Sequence, residues 1–188
     1  MANGILKVGD IQTSSGSGTI NIGQSGETVN FPTGVTVSGL TNTPAFLASK
    51  TSNQAVSSAA TTKVTFDNEV YDVGSSFDSN KFTVPSGKGG TYNLYYSINI
   101  NAGAVSVVQW ILAGFYKNGS EHISLGGTDF RNNYGGYTSI VTRNVSLVLN
   151  AGDYIEVFVS QAQTSGTPSV LGTSSPLSSY FGGYKLIT

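Results

Sequence analysis

Histidine occurs once, at position 122, and cysteine does not occur. Those two facts set the outer limits on chemistry. Without thiols there is no Cys nucleophile, no thiolate zinc site and no disulfide framework. With one imidazole a histidine-rich metal centre is excluded, and a Ser-His-Asp arrangement must recruit His122 with Asp129 and some serine. A hydroxyl nucleophile needs a base within hydrogen-bond reach and a sharp turn that presents it. No serine here stands in such a context, so His122 is expected to be an exposed hairpin residue. Glycosidase chemistry needs two carboxyl groups flanking a groove. Asp67 and Glu69 share one face of an expected strand, which reads as solvation of a loop or edge. Calcium needs several oxygens converging from one loop. Asp72, Asp78 and Asp129, with Asn132 and Asn133 as neutral donors, are too dispersed to form one. The expectation is a protein with no catalytic residue, no metal and no cofactor.

Surface recognition is the chemistry that remains. Residues 129–137 read Asp-Phe-Arg-Asn-Asn-Tyr-Gly-Gly-Tyr, which places aromatic rings and amides on a glycine-flexed loop. Loops on a rigid scaffold commonly carry function, and aromatic, Arg and Asn side chains suit a saccharide or protein ligand. Arg131, Asn133, Tyr134 and Tyr137 are the candidate surface-binding residues. Packing of Tyr134 and Tyr137 between subunits is the alternative.

Composition narrows the class further. Charged residues are 10% of the 188, against about 25% in ordinary soluble domains. Low charge would fit disorder, but 10 Tyr, 9 Phe and a Trp supply material for a core. No apolar run approaches the ~18 residues that span a bilayer. Nine Lys and Arg are scattered singly and the net charge is −1, so no basic stripe is available to nucleic acid. Residues 1–7 lack a basic segment followed by an apolar one and do not read as a signal peptide.

The elements that must position these side chains are strands. Tyr92, Leu94, Tyr96, Ile98 and Ile100 alternate with polar residues, as a half-buried strand requires. Val141, Val145, Leu147 and Leu149 repeat the pattern, as do Ile155, Val157 and Val159. Turn signals separate the runs: Pro85-Ser86-Gly87, Lys117-Asn118-Gly119, Asn150-Ala151-Gly152-Asp153 and Gly166-Thr167-Pro168. Strands at this spacing predict an all-β antiparallel sandwich or jelly roll over residues 44–188. Residues 1–43 differ. They are Gly, Ser, Thr and Asn interrupted by short alternating pieces at 10–13, 18–23, 27–31 and 34–37. Such pieces cannot bury a core alone, and linkers rarely hold so many β-branched residues. They read as a β-rich arm for attachment and trimerisation.

The strand near Val105–Tyr116 is apolar on both faces. Val108, Trp110, Leu112 and Tyr116 alternate with Val107, Ile111, Ala113 and Phe115. A sheet strand apolar on both sides needs a second cover, and no helix is expected within the chain. A subunit interface is the expected cover.

Phe66, Asp72 and Phe77, then Phe82, then Gly90-Thr91-Tyr92-Asn93-Leu94-Tyr95-Tyr96, form an ordered set that resembles the C1q-domain signature. Leu147-x-Leu149-x-x-Gly152-Asp153 and the closing Tyr180-Phe181-Gly182-Gly183-Tyr184-Lys185-Leu186 resemble the family's penultimate hairpin and last strand. The chain departs from the pattern in a shorter Phe77–Phe82 spacer, a longer 82–90 loop, Leu94 where Phe is usual, and no collagen stalk. The resemblance implies a C1q/TNF-like jelly roll that assembles as a homotrimer. Phe66, Asp72, Phe77, Phe82, Gly90, Tyr92, Leu94, Tyr96, Gly152, Asp153, Phe181 and Gly182 are then structural motif residues. Val107, Trp110, Ile111, Phe115 and Tyr184 are the expected trimer interface.

The arm, with Asn3-Gly4-Ile5-Leu6-Lys7-Val8-Gly9 and Gln12-Thr13-Ser14-Ser15-Gly16-Ser17-Gly18, resembles those of tailed-phage virion proteins. That resemblance implies a non-enzymatic fibre, neck or decoration appendage on the virion surface. It would dock to other virion structural proteins through residues 1–43 and expose a head to a host-surface glycan or protein. A bacterial surface or secreted C1q-like adhesion module is the alternative reading. A glycan hydrolase is a third, with no residue context in its favour.

Overall fold

A computed structural model of the protein describes residues 11, 19–35, 42–131 and 137–187. The chain divides into two units, Met1–Gly39 and Leu40–Thr188. In the first, the described residues form no strand. Two turns shape them, with Glu27 N donating to Gln24 O at 3.0 Å and Val35 N to Pro32 O at 3.1 Å. Ile20, Ile22, Val29 and Phe31 stand exposed. The described residues 19–23 and 27–31 therefore form no strand in the single chain, where a strand needs a paired neighbour. The pieces at 10–13 and 34–37 lie largely outside the described residues.

The second unit is built of strands, and among the described residues there is no helix. In order they are β1 (Ala45–Ser49), β2 (Gln54–Ala55), β3 (Ala60–Lys63), β4 (Asn68–Val73), β5 (Phe77–Asp78), β6 (Lys81–Thr83) and β7 (Gly90–Asn101). There follow β8 (Val108–Lys117), β9 (Ser120–Asp129), β10 (Thr138–Leu149), β11 (Tyr154–Gln163), β12 (Ser169–Val170) and β13 (Tyr180–Lys185). One sheet runs β2-β12-β7-β13-β1-β4, with β10 on the other edge of β7. The second runs β5-β6-β11-β8-β9, with β3 also on β11. Every pairing is antiparallel. This is the all-β antiparallel sandwich that the alternation predicts.

The core lies between the sheets. Tyr92, Leu94, Tyr96, Ile98 and Ile100 of β7 are buried and oppose Ile155, Val157 and Val159 of β11. Aromatic rings fill one end: Phe46 stacks on Phe82 at 4.8 Å, Phe181 meets Phe46 edge-on at 4.9 Å, and Tyr96 meets Phe115 at 4.9 Å. Each such pair adds about 0.5–1.5 kcal/mol beyond the area it buries. Two turns tie the hairpins together at the sandwich edge. Asp153 accepts from Asn118 Nδ2, Asn150 N and Lys117 Nζ, each at 2.8 Å, and Asn118 Oδ1 accepts from Tyr154 N at 2.9 Å.

Candidate functional site

Alternation along β7 sends its even residues into the core and its odd residues to the outer face of the first sheet. Cross-strand partners share a face, so the register lays out that surface. One rung reads Tyr71, Leu47, Gly182, Tyr95 and Asn144 across β4, β1, β13, β7 and β10. A flanking rung reads Val73, Ala45, Tyr184, Asn93 and Ser146, and another reads Asn68, Ser49, Tyr180, Ser97 and Thr142. No charged side chain stands in these three rungs, and four tyrosines do.

Gly182 is what lets the rings settle. A Cβ there would lie 2.6 Å from Tyr95 Cζ and Oη, so the Tyr95 ring occupies the space a side chain would take. Tyr180 meets Tyr95 edge-on at 6.4 Å. Burial, then a hydrogen bond with Tyr71 and the nearby Tyr180 and Tyr184, push the Tyr95 hydroxyl up to about 12. Tyr71 and Val73 remain 42% and 50% exposed, so the face is open at the β4 edge. An uncharged, tyrosine-rich sheet face has the composition of an interface core, where charged residues are depleted and Tyr is enriched.

The interface expected on β8 is corrected by the burial of its residues. Ile111 and Phe115 are 2% and 0% exposed, facing β7 and β13 across the sandwich, and Val107 is buried beside them. They pack within the protomer and present nothing to a second chain. The other apolar face of β8, Trp110, Leu112 and Tyr116, is half-buried on the outside of the second sheet. Its cover comes partly from its own chain, since Phe158 of β11 lies 4.0 Å from Tyr116. Tyr184, by contrast, belongs to the tyrosine face. In the sequence Tyr95 and Tyr180 stand only as members of the runs 90–96 and 180–186, and Tyr71 stands in no motif. The signal for Tyr95 and Tyr180 was the alternation of β7 and β13, with Tyr180 and Tyr184 spaced two residues either side of Gly182.

The remaining expected residues sort by what they touch. Asp72 accepts from Ser76 N at 3.0 Å, Ser76 Oγ at 2.9 Å and Phe77 N at 2.9 Å, which holds the loop before β5. Phe66, Phe77, Phe82, Leu94 and Phe181 pack in the aromatic core. Tyr92 is buried there while its hydroxyl donates to Lys88 O at 2.5 Å, and Tyr96 is buried beside Arg143. Gly90 opens β7 and Gly152 forms the β10–β11 turn, both at positive φ. Asp153 is held down to about 2, first by Lys117, then by Asn118 and the Asn150 amide. His122 is exposed on β9. Among the described residues no three His, Asp or Glu gather to hold a metal ion.

Of the loop residues, Arg131 grips Asp129, its Nε donating to Oδ1 at 3.0 Å and Oδ2 at 2.9 Å and its Nη2 also bonding Oδ2. Its guanidinium stands 5.8 Å from the Trp110 ring centroid. Tyr137 is exposed and its carbonyl accepts from Ala102 N at 2.8 Å. Asn133 and Tyr134 lie outside the described residues.

Residues 45–186 match the family model described as the C1q domain. Among solved structures, the globular domain of zebrafish complement 1qA protein is 13% identical, with a TM-score of 0.48 over 76% of this chain and 97% of that one. Murine APRIL is 14% identical, with a TM-score of 0.49 over 76% and 98%. No curated protein matches the sequence.

Proposed function

Because the chain belongs to the C1q-domain family, we propose that it works without catalysis, as a homotrimer whose head presents a surface and whose N-terminal segment attaches it to a larger assembly. The observation that carries this reading is the tyrosine face. It is a sheet surface without charge, formed by Leu47, Tyr71, Tyr95, Tyr180 and Tyr184, and open at one edge. A second and third copy supply the cover it lacks. Burying side chains of this size stabilises by about 1.5–3 kcal/mol each, enough to offset the association cost when several are buried together.

The larger assembly in this reading is a tailed-phage virion, with the chain as a fibre, neck or decoration protein. What supports it is the text of residues 3–18, which resembles the arms of such proteins, together with four exposed apolar residues between 20 and 31. Alternating Ile20 and Ile22, then Val29 and Phe31, suit strand pairing with other chains. The head then faces the host surface.

The test is the protein inventory of density-purified virions from the culture that carries the gene. Recovery of this chain in the virion fraction, at copy numbers divisible by three, supports the reading. Recovery only in the cell envelope or the culture supernatant overturns it and favours an adhesion module.

A further inference from the structure

We propose that the pocket on the outer face of the second sheet, lined by Trp110, Leu112, Asp129 and Arg131, binds a neutral pyranose sugar. The pocket has a volume of about 250 Å³. Its position follows from register: Trp110 opposes Asp129 and Leu112 opposes Gly127 across the β8–β9 pair. At Gly127 a Cβ would run into Ile111 O, so glycine lets β9 approach the β8 backbone closely beside Leu112. Small-ligand sites combine an aromatic or apolar surface with a few fixed polar groups, and this pocket holds both kinds. The Trp110 indole and the Leu112 side chain offer an apolar surface to the C–H groups of a sugar ring. Asp129 and Arg131 stand at its edge and offer acceptors and donors side by side.

The polar pair is held in place before any ligand arrives. Arg131 N donates to Asp129 Oδ1 at 3.0 Å, Phe130 N donates to Gln109 O at 2.6 Å, and Phe130 packs against the core between them. A guanidinium has five N–H donors. Only Nε and Nη2 are engaged with Asp129, so donors remain for a ligand. A sugar hydroxyl both donates and accepts, and two adjacent hydroxyls match a carboxylate beside a guanidinium. The pair is neutral as a whole, and an acidic sugar would meet the Asp129 carboxylate. That selects neutral sugars over uronic acids. The inference rests on the proposed trimer in one respect: burying the tyrosine face leaves this opposite sheet pointing outward.

Trp110 is the single tryptophan of the chain, so intrinsic fluorescence reports this pocket alone. The full chain is titrated with glucose, galactose, mannose, N-acetylglucosamine and N-acetylgalactosamine, with galacturonate as the anionic arm. The expected result is a saturable change in Trp110 emission with at least one neutral sugar and a weaker response to galacturonate. Arg131→Ala and Asp129→Ala, both at exposed positions, should each weaken binding at least about tenfold while circular dichroism stays unchanged. No saturable response to any neutral sugar, tighter binding of galacturonate, or binding that survives both substitutions overturns the proposal. Sedimentation of the same samples separates the two readings. A monomer that binds sugar overturns only the trimer, and a trimer blind to all five sugars overturns only the pocket.

Discussion

Replacing Gly182 by alanine should destabilise the head through one ring. The new Cβ would stand 2.6 Å from Tyr95 Cζ and Oη and 2.8 Å from Cε2. Non-bonded carbons settle near 3.5–4.0 Å, so about 1 Å of overlap must be relieved at two ring carbons and the hydroxyl together. The sheet backbone beneath Gly182 is fixed by pairing to both β1 and β7, so the Tyr95 ring must swing outward. Overpacking of this kind costs about 1–3 kcal/mol. In a Tyr95→Ala background the obstacle is gone. There the same Gly→Ala change should be neutral or slightly stabilising, because alanine restricts the unfolded chain. Urea unfolding of the four proteins, at one protomer concentration and followed by Trp110 emission, closes the cycle. A coupling of about 1–3 kcal/mol is expected. Equal costs of Gly182→Ala in both backgrounds would refute the packing argument. The outward swing also moves the ring into the proposed interface, so Gly182→Ala should weaken assembly as well.

Three further outcomes follow from the same geometry. Phe115→Ala should cost about 3–5 kcal/mol and unfold the protomer without first dissociating it, in contrast to an interface residue; urea melts at several protein concentrations separate the cases. Asp72→Ala removes three hydrogen bonds from the loop before β5 and should cost about 2–3 kcal/mol by the same assay. Asp153 is held at about 2 against an ordinary 3.8. The folded value lies below the unfolded one, so its contribution is complete above the unfolded value and is lost as pH falls toward 2. Asp153→Asn should flatten the acid limb of the stability curve in that window and leave the limb above it unchanged.

What could be read in the sequence depended on how far apart the interacting residues lie along the chain. The alternation of residues 92–100 gave β7 its core face directly, since side-chain direction is a local property of a strand. Asp153 stood in a turn signal with Asn150, which is one of its partners, whereas Lys117 and Asn118 reach it from another hairpin. Strand β8 was misleading for a physical reason. Two apolar faces demand two covers, but the sequence does not say which cover is internal. Phe115 found Tyr96 and Phe181 across the sandwich, and Tyr116 found Phe158 on its own sheet. The tyrosine rung was hidden for a related reason. Tyr71, Leu47, Gly182 and Tyr95 become neighbours only once β4, β1, β13 and β7 take their order in the sheet. Among the described residues of the arm, strand-like text meets no strand partner, and alternation alone does not supply one.

The central claim is that the tyrosine face closes a trimer, and sedimentation equilibrium of the full chain measures it most directly. The account predicts a mass three times the 19.5 kDa protomer at micromolar concentration. It also predicts that Tyr184→Arg and Tyr95→Arg, each placing a charge in that face, yield folded protomers with unchanged far-ultraviolet circular dichroism. A wild-type monomer, or a trimer that survives both substitutions, would contradict it.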